Sequence, residues 1–307
     1  MKKTKLFIDT DIGDDIDDLL ALMMVCNMEE AELVGITTVF RNSNLRARMV
    51  KKVLSLCGME VPVYAGYGIP LGSEFLVSDT DIFCQASPDL NEEQYSPVND
   101  KEGSAGESAL DFIVECAERY GRELTLVAIG PLTNLAKAFL KAPDSLRKLN
   151  KIVVMGGAFY VQCREWNIIC DLKAADIVIN SGLPLEFVGI DVTEKTELDG
   201  AYKRRILEHR NNIREEYIAR CSEIWTRNRE IVLHDPLTVY YALHPEICIS
   251  EEVPVYLERQ SPVIRGMTAN LDLWFNSDKA AAKRVKCAKK VDAKKFIEIF
   301  FNYLYQR

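Results

Sequence analysis

Several things are scarce in this chain of 307 residues. No apolar run approaches the ~20 residues that a membrane-spanning helix needs, so a spanning segment is not expected. The nine cysteines are scattered and odd in number, with no CxxC pair, which argues against a disulfide framework or a zinc knuckle. Reduced, mostly buried thiols are the expectation. Basic residues are the minority, 38 against 46 acidic, for a net charge of -8. Such a surface suits neither nucleic acid nor an anionic membrane. The N-terminal "MKKTKLFIDT" meets an aspartate after three apolar residues, too soon for a signal-peptide core, so a cytoplasmic location is expected. Histidine is rarest of all, with only His209, His234 and His244.

What is present is alternation. Short apolar runs, "KLFI" (5–8), "LVGITTV" (33–39), "VPVYAG" (61–66), "LTLVAI" (124–129), "KIVVMGG" (151–157) and "LEFVGID" (185–191), read as strands. Helical patterns separate them at 18–26, 44–58, 108–121, 132–142 and 171–182. A long charged helix is expected from 197 to about 230, then a helix at 235–243, strands at 253–258 and 262–268, and a terminal helix at 292–307. Residues 67–103 read as irregular. This order predicts an α/β fold, a single domain over 1–307 with a mostly parallel, Rossmann-like sheet and helices on both faces. Ligands of such sheets bind at the carboxyl ends of the strands, which selects Asp9, Asp11, Val39 to Asn42, Ile129, Met155 to Gly157 and Asp191.

The stretch "DTDIGDDIDD" (9–18) places six aspartates in ten positions at that edge. One or two acidic residues would cap the following helix. Six exceed what capping needs, and several oxygen ligands together suit a hard divalent cation. An EF-hand loop fails, because Leu20 stands where its bidentate glutamate belongs. The DxDx(T/V) loop of dehalogenase-type phosphatases fits only in part, with Gly13 in place of threonine or valine. "DDIDD" (14–18) satisfies the DDxxD of prenyl-transfer enzymes, which are all-helical. A second stretch, "HDPLT" (234–238), opens an apolar helix; locally, Asp235 and Pro236 suit a helix start whatever the histidine does.

In order along the chain, the motifs resemble those of the inosine–uridine-type nucleoside hydrolases, calcium-dependent N-ribohydrolases. DxDPGxDDxxAL is similar to "DTDIGDDIDDLLAL" (9–22) and GITTVxGN to "GITTVFRN" (35–42). "GPLTN" (130–134) and "MGG" (155–157) are present, and "EWNIICDLKAA" (165–175) resembles EFNxxxDPEAA. "IDVT" (190–193), "HDPLT", "RGMT" (265–268) and a VDxxxF ending (291–296) follow. The resemblance implies hydrolysis of a ribonucleoside to free base and ribose. It implies a Ca2+ ion ligated by Asp11, Asp18, Asp235 and the Ile129 carbonyl, with Asp15 as a further candidate ligand. It makes Asp11 the base toward the attacking water. His234 becomes the donor to the leaving base, which its ordinary near-neutral pKa would suit. Asp17, Asn42, Glu165 and Asn167 become the contacts to the ribose. It also implies a homo-oligomer, a dimer or tetramer.

The chain departs from the pattern near the sugar 5′ side. The aspartate loop is two residues longer, Ile12 replaces a proline, and Arg41 stands where glycine is usual. Gln162 is a weak match to the asparagine that meets the 5′-hydroxyl, and a histidine common in the 67–103 region is missing. Trp225, Arg227 and Tyr241 are candidates for a base pocket, against a bland reading of packing and solvated charge. Two alternatives stay open: the same fold and metal acting on a different or 5′-modified ribosyl compound, or a nucleoside-binding protein without catalysis.

Overall fold

The computed structural model describes residues 3–13, 15–72, 98, 106–227, 229–280 and 282–306. Strand β1 (Thr4–Thr10) is the axis of the molecule. Its alternating side chains divide between two cores: Leu6 and Ile8 face one helical layer, Phe7 the other. Beside it lie β2 (Ala31–Thr38), β3 (Val63–Ala65), β4 (Leu124–Ala128), β5 (Lys151–Met155) and β6 (Leu185–Val188). With β7 (Cys248–Leu257), β8 (Thr268–Asn270) and β9 (Lys283–Val291) they form one sheet in the order β3-β2-β1-β4-β5-β6-β9-β7-β8. Pairing is parallel from β3 to β9; β7 runs antiparallel to β9, and β8 to β7. Asp9 pairs with Thr37 on one side and Ala128 on the other, so β1, β2 and β4 end level.

One layer contains α1 (Asp17–Val25), α2 (Ser43–Leu56), α10 (Ile213–Trp225), α11 (His234–Leu243) and α12 (Ala293–Leu304). The opposite layer contains α3 (Glu107–Tyr120), α4 (Thr133–Lys141) and α7 (Leu172–Asn180). Helix α1 is buried along its whole length, wedged against α2, α11 and α12, which explains why its sequence is apolar all round. The remaining helices are the short α5 (Pro143–Leu146), α6 (Trp166–Cys170) and α8 (Ile190–Thr193), and α9 (Gly200–Glu208). Among the described residues, no helix is long and apolar enough to cross a membrane.

Three expectations need correction. The charged stretch 197–230 is two helices, α9 and α10, not one. Asn212 breaks it: its side chain accepts from the Glu215 amide at 3.0 Å, while the Glu215 carboxylate accepts from the Asn211 amide at 2.8 Å. Residues 262–266 are a turn rather than a strand, held by Glu258 and Ser261 accepting local amides. Strand β9 is masked in the sequence, because lysine and arginine occupy its outward positions and only Val285, Cys287 and Ala288 are buried. The irregular region 67–103 and the histidine missing from it fall mostly outside the described residues, as does Asp14.

Candidate active site

The aspartate loop is built from the backbone outward. Asp9 is the penultimate residue of β1, and its Oδ1 accepts from Thr37 Oγ1 at 2.7 Å and Asn134 Nδ2 at 2.9 Å. Burial pushes its carboxyl up to about 7. Asn134, the last residue of "GPLTN", also donates to the Thr38 carbonyl at 3.0 Å and accepts from the Tyr67 amide at 2.9 Å, so it ties three strand ends together. Thr10 Oγ1 donates to Asp18 and accepts from the Ile12 amide at 3.1 Å. Arg46, on α2, is fully buried. Its Nε donates to the Phe40 carbonyl at 2.8 Å, and its Nη1 to the carbonyls of Ile12, at 2.9 Å, and of Asp11. Gly130 lets β4 approach this loop closely: a Cβ there would stand 2.8 Å from Asp11 Oδ1 and 3.0 Å from the Asp11 nitrogen.

Carboxylate oxygens of Asp17, Asp18 and Asp235 lie within 4.8 Å of one another, and all three residues are buried. Asp17 Oδ2 accepts from the Asp235 amide at 3.0 Å, which fastens the start of α11 to the start of α1. Burial first, and then the charge of Asp15 and Asp18, holds the Asp17 carboxyl well above the usual carboxylate range. Burial also raises Asp235 strongly, followed by the charges of Asp17, Asp18, Asp11 and Asp15. A hard cation relieves both causes, since it supplies the missing solvation and cancels the repulsion. The residues therefore fit a divalent metal. Asp15 is half-buried; its Oδ1 accepts from the Ile16 amide and from the Asp17 amide at 3.2 Å, and burial raises its carboxyl.

Of the residues read from sequence, Asp18 and Asp235 are together, joined by Asp17, for which the resemblance implies a ribose contact. Asp11 borders the trio, close enough for its charge to act on Asp235. The Ile129 carbonyl follows the end of β4 and accepts from Asn167 Nδ2 at 3.3 Å; the same amide reaches the Met155 carbonyl at 3.2 Å. Asn167 thus bridges β4 and β5. Glu165 caps α6, accepting from the amides of Asn167 at 2.8 Å, Ile168 at 3.0 Å and Gly157 at 3.1 Å. Asn42 is exposed and caps α2 through the Leu45 amide at 3.0 Å.

Two expectations change here. The His234 imidazole is not near neutrality: burial lowers its pKa to about 4, with no carboxylate to oppose the shift. Its Nδ1 lies 2.7 Å from Thr193 Oγ1, so the resting ring is neutral and held by a hydroxyl. Tyr241 lies in the core, its hydroxyl 3.1 Å from Ser250 Oγ, and forms no part of a base pocket. Trp225 does stand at the site's margin, lining a small apolar cavity with Ile12, Gly13, Asp15 and Ile16.

A family model described as inosine-uridine preferring nucleoside hydrolase matches residues 6–298. The chain belongs to that family. It is therefore an enzyme of the N-glycosyl hydrolase class. Similar relatives include "Probable uridine nucleosidase 2" of Arabidopsis thaliana, 29% identical over 98% of both chains. "Probable uridine nucleosidase 1" of Oryza sativa subsp. japonica is 34% identical over 84% of this chain and 82% of its own. Among solved structures, a purine-preferring ribonucleoside hydrolase from Gardnerella vaginalis superposes with a TM-score of 0.81, at 27% identity and 98% coverage of both chains.

Sequence reasoning missed Arg46, Thr10 and Thr193. Arg46 carries no local signal: it sits in "NLRARMVKK", among side chains that read as a solvated basic face. Asn134 and Gly130 were inside a quoted motif, but their contacts to Asp9 and Asp11 emerge only from the fold.

Proposed function

We propose that this family member hydrolyses the N-glycosidic bond of ribonucleosides to free base and ribose, using a calcium ion at the acidic cluster. The observation that carries the reading is the buried trio Asp17, Asp18 and Asp235 beside Asp11, at the carboxyl edge of a nucleoside hydrolase fold. Asp11, Asp18, Asp235 and the Ile129 carbonyl would hold the ion, a hard all-oxygen set that suits calcium, with Asp15 a further candidate ligand. Bound calcium supplies positive charge that eases deprotonation of water and orients sugar hydroxyls.

Asp11 takes the proton as water attacks C1′. The surrounding carboxylates stabilise the positive charge that builds on the ribose as the bond breaks. Asp17, Asn42, Glu165 and Asn167 position the sugar. In the tautomer whose Nδ1 accepts from the Thr193 hydroxyl, the neutral His234 ring offers its Nε2–H to the leaving base rather than acting as a preformed acid. Trp225 offers an aromatic face at the margin for the base. The scattered cysteines, none in a disulfide among the eight described, support a reducing cytoplasm. Family resemblance supports a homodimer or homotetramer.

The backbone of Phe40 and Arg41 favours a second reading of the substrate. Arg41, which stands where the related motif carries a glycine, is left-handed at φ 54°, as is Phe40 before it at φ 71°. This strained corner at the sugar end suits a 5′-modified ribosyl compound. A panel of purine and pyrimidine nucleosides and 5′-substituted analogues, assayed for base release with calcium and with chelator, tests both readings. Base release that persists undiminished in exhaustively chelated protein would sink the metal assignment.

A further inference from the structure

The segment that follows β5 is shaped by side chains rather than by a helix or a sheet. Five consecutive amides, from Gly157 to Val161, each donate to a side-chain oxygen. The Gly157 amide donates to Glu165 Oε2 at 3.1 Å and the Ala158 amide to Thr268 Oγ1 at 2.7 Å. The next three converge on one carboxylate. Asp191 Oδ2 accepts from the Phe159 amide at 2.7 Å, and Asp191 Oδ1 from those of Tyr160 and Val161, at 2.8 Å each. Successive amides curled round a carboxylate form a nest, the arrangement that binds anions elsewhere in proteins. Asp191 is buried in the first turn of α8, at the carboxyl edge of the sheet.

This clamp reaches the sugar contacts through Gly157. That residue is left-handed, at φ 80°; its carbonyl accepts from the Ile190 amide at 2.9 Å, and its own amide holds Glu165. Gly189 allows the close approach of the two segments: a Cβ there would stand 2.8 Å from both Asp191 Oδ2 and the Gly157 carbonyl oxygen. Thr268, on β8, fastens the loop from another side, since its hydroxyl also donates to the Ala158 carbonyl at 3.0 Å. Glu165 in turn receives the amides of Asn167 and Ile168, so the start of α6 is tied to the same loop. A continuous path of hydrogen bonds therefore runs from Asp191 through residues 157–161 to Glu165 and Asn167.

We propose that Asp191 is a positioning residue for the ribose subsite: it sets the loop after β5 and, through Gly157, the Glu165 carboxylate. The proposal rests on the reading that Glu165 and Asn167 hold the sugar. Both Asp191 oxygens are turned to the loop, so its effect on a bound ribose passes through Glu165. Asparagine in its place keeps one acceptor oxygen but turns an amide donor toward a backbone N–H. Alanine releases all three amides.

A double-mutant cycle of Asp191→Asn with Glu165→Gln tests this, read as kcat/KM for base release from the nucleoside of the panel above that turns over fastest. Calcium is present throughout, and melting temperature is the folding control. Asp191→Asn is expected to lower kcat/KM by about 10-fold and Asp191→Ala by about 100-fold, the size of a misplacement near 1 Å. In a Glu165→Gln background, Asp191→Asn costs less than about threefold more, because the two residues act along one path. A residue that only supports the fold lowers kcat/KM by the same factor in both backgrounds, and that result overturns the proposal. So does an Asp191→Ala protein with unchanged kcat/KM. If no member of the panel releases base, the hydrolase reading fails, and the same cycle read as ribose affinity by calorimetry decides the role of Asp191 on the same criteria. Wild-type protein that neither releases base nor binds ribose overturns both.

Discussion

Replacing Arg46 by methionine tests how the aspartate loop is held. The guanidinium is fully buried and serves three backbone carbonyls, those of Asp11, Ile12 and Phe40. Methionine keeps the apolar stem and removes every donor. Each buried carbonyl left without a partner costs about 1–3 kcal/mol, so three cost roughly 3–9 kcal/mol. Removing a buried charge returns several kcal/mol of desolvation, which leaves a net loss of about 3 kcal/mol. At roughly 2 °C per kcal/mol for a chain of this size, the melting temperature falls by about 6 °C. Activity suffers beyond stability, because Asp11 and Ile12 lose their anchor in a loop where Ile12 takes the place of a proline. A misplacement of the base by about 1 Å lowers kcat by roughly 100-fold. Thermal unfolding and steady-state base release, measured on the same preparation, report both effects. Arg46→Lys retains the charge but not the fork, so it recovers only part of the loss. An Arg46→Met protein that matches wild type in both measurements would refute the clamp.

Three further outcomes follow from the geometry. Gly130→Ala pushes a methyl to 2.8 Å from Asp11 Oδ1, so kcat for base release falls by about 10- to 100-fold while far-UV circular dichroism stays unchanged. Because the folded His234 pKa is about 4, kcat shows no histidine limb between pH 5 and 8, and the ring's NMR shifts stay flat over that range. Its neutral form stabilises the fold fully above the unfolded pKa of about 6.5, and that contribution is lost as pH falls toward the folded value, since the unfolded chain takes up the proton first. Adding calcium at about 100 times its dissociation constant raises stability by roughly 2.7 kcal/mol, and Asp235→Ala abolishes that shift in thermal unfolding.

Much of the molecule was legible from residue order alone. Strand and helix periods gave the parallel α/β sheet, because buried strands must be apolar and amphipathic helices must show a 3.6-residue stripe. The aspartate run, "GPLTN" and "HDPLT" marked the carboxyl edge and its acidic chemistry, since residue type and strand-end position are both local properties. Strand β9 and the division between α9 and α10 escaped, the first through its lysines and the second through a cap at Asn212 read as part of a charged helix. What only the tertiary structure decided depends on contacts between distant segments. It brought Asp17 and Asp18 against Asp235, more than two hundred residues away, and so placed three repelling carboxyls where a cation is wanted. It enclosed His234 beside Thr193, where desolvation lowers its pKa away from neutrality. It also turned Arg46 inward, because whether a guanidinium is solvated or buried depends on the carbonyls that the rest of the fold presents to it.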